Sequence, residues 1–100
     1  MNAALLTPEI VAEILRPVFE QYNVRRAILF GSVAKGTNHE NSDVDLLVDS
    51  GLLGFDFFGL VGDVADTLKT DVDVFDVIEV IPQSRIDHEI SQTGVCIYER

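Results

Sequence analysis

Apolar and polar positions alternate along this chain with two distinct periods. Ile10, Val11, Ile14, Leu15, Val18 and Phe19 recur at helical spacing. Thr7-Pro8-Glu9 precedes them as a hydroxyl cap, a proline at the first helical position and an acid in the first turn. Pro17 lies inside this helix and is expected to kink or split it, because it lacks the N–H that would bond to Glu13. Arg26 to Phe30 then reads as a strand ending at Gly31, and Val44 to Val48 as a second strand. Residues 33–42 between them form a polar loop. Gly51, Gly54 and Gly59 mark a flexible stretch, and an amphipathic helix is expected from about Phe57 to Lys69. Asp71 to Ile78 is rich in β-branched residues and reads as a third strand. Pro82 is expected to open a short helix carrying Ile86 and Ile90. Gly94 ends it, and Val95 to Tyr98 is a last strand. The order of elements predicts a small α/β (α+β) fold, a mixed sheet of about four strands flanked by helices.

The chain has 100 residues, which predicts one domain, 1–100. Apolar residues make up 47%, enough for a globular core. There is no run of 18 apolar residues and no basic, apolar leader, so no membrane association is expected and the cytoplasm is the default location. The single cysteine, Cys96, excludes an internal disulfide and a cysteine-built zinc site; its apolar neighbours predict a buried role. With 17 acidic and 7 basic residues the formal charge is −10. Such a surface repels long phosphate backbones, so direct nucleic-acid binding is not expected, whereas a basic protein partner would be attracted.

The chemistry concentrates in residues 29–49. Asp43 and Asp45 sit one residue apart leading into an apolar strand, so they share a face. Two carboxylates held side by side repel unless a cation lies between them. A third ligand is expected from a neighbouring strand. Asp73 leads, and Asp71, two residues earlier on the same face, is its rival. Asp49, Asp66 and Asp76 are expected to be caps or solvent-facing residues. Both histidines, His39 and His88, are expected outside the cluster, so the ligands are all oxygen. That favours Mg2+, with Mn2+ as the alternative, over zinc. One carboxylate bridging two ions is the layout of two-metal phosphoryl transfer. Gly31-Ser32 lies at the end of the first strand, where a glycine lets backbone approach a phosphate. Lys35 adds positive charge and Gly36 a second flexible point.

Together these residues resemble a known family. Leu29-Phe30-Gly31-Ser32, Ala34-Lys35-Gly36 and Ser42-Asp43-Val44-Asp45-Leu46 are similar to the polymerase-beta-like nucleotidyltransferase superfamily, in particular its minimal (MNT-type) branch. The family pattern of Gly-Ser, ten residues and Asp-x-Asp is met with Val33 to Ser42 as the ten. The resemblance runs from about Val24 to Tyr98 and includes the closing segment Gly94 to Glu99. It implies the small polymerase-beta-like fold, with Gly31, Ser32 and Lys35 binding a nucleoside triphosphate. Asp43, Asp45 and Asp73 would hold two Mg2+ ions, with Asp73 helping to deprotonate the acceptor. Lys35 stands where the family usually has arginine, keeping the charge and losing the bidentate fork.

Small members of this branch act beside HEPN-type partners in toxin–antitoxin pairs. The resemblance therefore implies an antitoxin that transfers AMP from ATP to a tyrosine of a HEPN-type toxin. Two alternatives stay open: a binding antitoxin that transfers nothing, and transfer to a small molecule held by a separate subunit. Phe55, Phe57 and Phe58 are expected in the core, with a partner surface or a wall beside the base as the alternative. Uncovered sheet edges and the same phenylalanines leave room for a homodimer. No residue specifies the base.

Overall fold

The computed structural model describes residues 2–100. Helix α1 (Pro8–Gln21) opens as the sequence implies: Thr7 Oγ1 accepts the Ile10 N–H at 3.2 Å, and Pro8 occupies the first turn. Val11, Leu15, Val18 and Phe19 form its buried face. The expected split at Pro17 does not occur, and α1 is one continuous helix of 14 residues. Pro17 and Glu13 both face solvent, so water can satisfy the carbonyl that the proline leaves unpaired.

Four strands follow: β1 (Arg26–Phe30), β2 (Val44–Asp49), β3 (Val72–Asp76) and β4 (Val95–Glu99). They form a mixed sheet in the order β3-β2-β1-β4. The β1–β2 and β1–β4 pairs are antiparallel; β2 and β3 are parallel, joined by helix α3 (Phe55–Leu68). Alternation separates the two faces of the sheet. Ala27, Leu29, Val44, Leu46 and Val48 join α1 and α3 residues such as Phe19, Leu60 and Val64 in the core. Phe19 also meets the Tyr98 ring of β4 at 5.3 Å between centroids. Burying an aromatic side chain of this kind contributes about 1.5–3 kcal/mol. The opposite face carries Ile28, Phe30, Leu47 and Phe75, together with Asp45 and Asp73.

Several ends and environments differ from expectation. The third strand stops at Asp76, because Asp76 caps a 3-10 turn, Val77–Glu79, through the Ile78 N–H. Asp76 is thus a cap, as expected, but a buried one: its carboxylate also accepts from the Ser50 N–H and the Ser50 hydroxyl. Helix α4 (Arg85–Thr93) is opened by Ser84, whose hydroxyl accepts the Asp87 N–H, and Pro82 lies in the turn before it. Cys96 is exposed rather than buried, since β4 is an edge strand. Of the three phenylalanines only Phe57 packs on the core. Helix α3 starts at Phe55, two residues earlier than expected, and Phe55 (91% exposed) and Phe58 (69% exposed) lie away from its buried face of Leu60, Val64 and Leu68. Phe58, Leu53 and Ile78 line an apolar groove beyond the carboxyl ends of β2 and β3. Among the described residues no helix is long and apolar enough to cross a membrane.

Candidate active site

The strand β1 ends at Gly31, whose backbone (φ +78°, ψ −152°) breaks the extended run and starts the short helix α2 (Ser32–Lys35). Only glycine adopts this conformation without strain. A side chain would also be excluded sterically, because a Cβ built on Gly31 would overlap the Asp45 carboxylate. The Gly-Ser turn and the acidic strand are therefore packed directly against each other. Gly36 ends α2 in the left-handed conformation. The loop after it is anchored by Asn38, whose amide donates to Ala3 C=O at 2.6 Å and Leu6 C=O at 3.1 Å. His39 and Ser42 close the loop on themselves: the His39 N–H donates to Ser42 Oγ, and the Ser42 N–H to His39 C=O.

These elements surround an open cleft of about 450 Å³. Gly31, Ser32 and Lys35 line one side, Asp43 and Asp45 another, and the loop supplies Thr37, His39, Asn41 and Ser42. His39 thus borders the cleft, on the loop that Asn38 anchors. His88 is not among the lining residues. Glu89, on α4, completes the lining. Nothing in the local pattern around Glu89 marks it; only the packing of α4 brings it here.

Asp73 lies beside this group. It is the direct register partner of Asp45 across the parallel β2–β3 ladder, on the same face. Asp71 precedes β3, is exposed, and its carbonyl accepts the Val44 N–H. Of the two rivals, Asp73 is the one whose charge acts on Asp45. The Asp45 carboxyl is pushed up to about 6, first by burial, then by the negative charges of Asp73, Glu89 and Asp43, and by a hydrogen bond with Asp73.

The donor set fits a hard divalent ion: every candidate ligand is a carboxylate, and the cluster lacks counter-charge. Among the described residues Lys35 is the only lysine or arginine lining the cleft, against Asp43, Asp45 and Glu89. Among the described residues no three such groups are drawn together around one point. The strand register nevertheless gives Asp45 and Asp73 one face, so side-chain rotation is the movement that ligation would require. Asp49 and Asp66 stand apart. Asp49 pairs with Arg25 at 2.6 Å, which holds its carboxyl below the usual range, and Asp66 is exposed.

The family model described as polymerase beta, nucleotidyltransferase, matches residues 13–100. The chain belongs to this nucleotidyltransferase family. No curated protein sequence matches it. Solved structures share its fold. One, described as a toxin–antitoxin with AMP-PNP, superposes with a TM-score of 0.74 at 22% identity, covering 89% of this chain and 73% of the other. A second, the toxin–antitoxin MntA-HepT, gives 0.67 at 18% identity, covering 91% and 72%. A third, tri-AMPylated HEPN toxin in complex with MNT antitoxin from Shewanella oneidensis, gives 0.69 at 16% identity, covering 94% and 74%.

Proposed function

We propose that this nucleotidyltransferase is a single-domain, cytoplasmic antitoxin that transfers AMP from ATP to a tyrosine hydroxyl of a HEPN-type toxin. One observation carries the reading: Asp45 and Asp73 share one face across the β2–β3 ladder, and Asp45 and Asp43 line a cleft beside a Gly31-Ser32 turn that touches Asp45. The toxin–antitoxin structures of the same fold, one with AMP-PNP and one with an AMPylated toxin, support the substrate and the acceptor class.

In this reading Ser32 donates its hydroxyl and N–H to phosphate oxygens, and Lys35 adds charge at the cleft edge. Asp43, Asp45 and Asp73 would hold two Mg2+ ions. When bound, such ions offset the triphosphate charge and acidify the attacking hydroxyl. They are required on electrostatic grounds, since a triphosphate entering a cleft with three carboxylates and one lysine meets net repulsion. Asp73 orients the acceptor hydroxyl and takes up its proton. The open cleft leaves room for a protein side chain to reach the nucleotide.

The test is incubation with ATP, Mg2+ and the product of the neighbouring reading frame. Intact-mass spectrometry should show the partner gaining AMP. An unmodified partner together with no triphosphate binding would defeat the proposal.

The exposed groove at Leu53, Phe58 and Ile78 favours one second reading, a binding antitoxin that masks its partner without chemistry. Asp43→Asn combined with Asp45→Asn separates the two: a variant that still protects cells needs no transfer.

A further inference from the structure

Helix α4 makes a hydrogen-bonded contact with the Gly31 turn that the nucleotide-binding pattern does not account for. The Gly31 N–H donates to Thr93 Oγ1 at 2.9 Å, and the Thr93 hydroxyl donates to Glu89 C=O at 2.8 Å. A hydroxyl has one proton. Committing it to the Glu89 carbonyl fixes the rotor and leaves a lone pair aimed at Gly31. Glu89 and Thr93 are four residues apart and so share one face of α4. That face therefore supplies both a carboxylate lining the cleft and the hydroxyl that holds the turn.

Gly31 is held from two sides. The Asp45 carboxylate packs against its α-carbon, and Thr93 holds its N–H. Its backbone lies in a region open to glycine without strain, and a glycine moves freely between such regions unless its neighbours hold it. The Gly31 N–H is committed to Thr93, and the Gly31 carbonyl accepts the Lys35 N–H. Ser32 follows Gly31 directly, so the direction of its N–H and hydroxyl is set by the Gly31 conformation.

We propose that Thr93 is a positioning residue for the nucleotide: its hydroxyl locks the Gly31 turn so that Ser32 presents its hydroxyl and N–H to the triphosphate. This rests on the nucleotidyl-transfer reading above. The backbones of Asp45 and Asp73 are fixed by β2 and β3, whereas the Gly31 backbone is what Thr93 holds, so the hydroxyl acts first on nucleotide affinity and less on the chemical step.

The test compares Thr93→Val, which keeps the shape and removes the hydroxyl, with Thr93→Ser, which keeps the hydroxyl. Thr93→Val should raise the KM for ATP by about fivefold to tenfold, the effect of one hydrogen bond, with kcat changed less than about twofold. Thr93→Ser should stay within about twofold of wild type. Amide exchange of Gly31, followed by NMR without nucleotide, should quicken by about tenfold in Thr93→Val and not in Thr93→Ser. Unchanged KM and exchange in Thr93→Val would overturn the proposal. So would a Thr93→Ser variant as impaired as Thr93→Val, which would assign the effect to the methyl group, or a loss confined to kcat. Wild-type protein that transfers nothing overturns the transferase reading instead, and the Gly31 exchange rates then decide the strut alone.

Discussion

Asp45 and Asp73 face each other across the parallel β2–β3 ladder, a carboxylate paired with a carboxylate on the same side of the sheet. Like charges opposed on neighbouring strands destabilise a ladder. Asp43 and Glu89 add to the repulsion. The protein thus carries an electrostatic penalty at the position where its proposed reaction needs cations.

That penalty predicts a pH dependence. The Asp45 carboxyl is raised from 3.8 to about 6 in the folded protein. Between those values the folded state binds more protons than the unfolded state, so stability of metal-free protein falls as pH rises through this window. Above about pH 6 the penalty is complete. A two-unit shift corresponds to about 3 kcal/mol, and partial exposure of Asp45 reduces this to about 1–2 kcal/mol. Asp45→Asn should therefore be more stable than wild type at pH 7 in EDTA, and the difference should shrink toward pH 4. Urea unfolding of both proteins across pH 4–7 measures it. A difference independent of pH would contradict an origin in the Asp45 charge. The same variant should lose transfer by about a hundredfold or more, because one ligand is gone.

Gly31 and Gly36 offer a matched pair of substitutions. Both have positive φ, but Gly36 has open space where a Cβ would go, while Gly31 faces Asp45. Gly36→Ala should cost about 1 kcal/mol and keep transfer. Gly31→Ala should cost about 2–3 kcal/mol and abolish ATP binding, since the turn and Asp45 cannot both keep their positions. Thermal melts and calorimetric titration with ATP check this. Equal behaviour of the two variants would show that the contact with Asp45 is unimportant.

The parts of this fold that are legible in sequence are those set by neighbours in the chain. Thr7 and Pro8 start α1 and Gly94 ends α4 because capping is local chemistry. The strand at Arg26–Phe30 is readable from its apolar run and the Gly31 that ends it. The Gly31, Ser32, Asp43 and Asp45 half of the candidate site is readable because one turn and one strand carry it. Glu89 and Thr93 are not, since only the packing of α4 brings them to that turn. The apolar pattern overstates the burial of Phe55 and Phe58 because, at about 100° per residue, Phe58 lies about 200° and Phe55 about 140° around the helix from the buried Leu60. Cys96 is exposed despite its apolar neighbours because β4 lies at the sheet edge, which composition does not reveal. His39 reaches the cleft through the Asn38 anchor, which joins segments more than thirty residues apart and leaves no local signal.

Asp76 should prove the carboxylate that matters for folding rather than for transfer. It is 3% exposed and accepts from the Ser50 N–H, the Ser50 hydroxyl and the Ile78 N–H at the far end of the β2–β3 pair. Asp76→Ala leaves these donors without an acceptor and should cost about 2–4 kcal/mol. Asp76→Asn keeps an acceptor oxygen and should cost less. Protein that remains folded should retain nucleotide affinity. Urea denaturation and ATP titration decide it; an Asp76→Ala variant of wild-type stability would show that these bonds are dispensable.

The exposed groove at Leu53, Phe58 and Ile78 separates stability from partner binding. These side chains are 71%, 69% and 71% exposed, so replacing them removes little from the core. Phe58→Ser and Leu53→Ser should each change unfolding stability by less than about 0.5 kcal/mol. If the groove receives the proposed toxin, each should weaken that complex by about tenfold or more, because anchors of this kind dominate interface energy. Transfer to a saturating concentration of the partner should then recover, since the carboxylates lie at the other end of β2 and β3. Titration of each variant with the partner checks this. Variants that bind as tightly as wild type would move the docking surface elsewhere, and variants that bind but no longer transfer would place the groove within the reactive geometry.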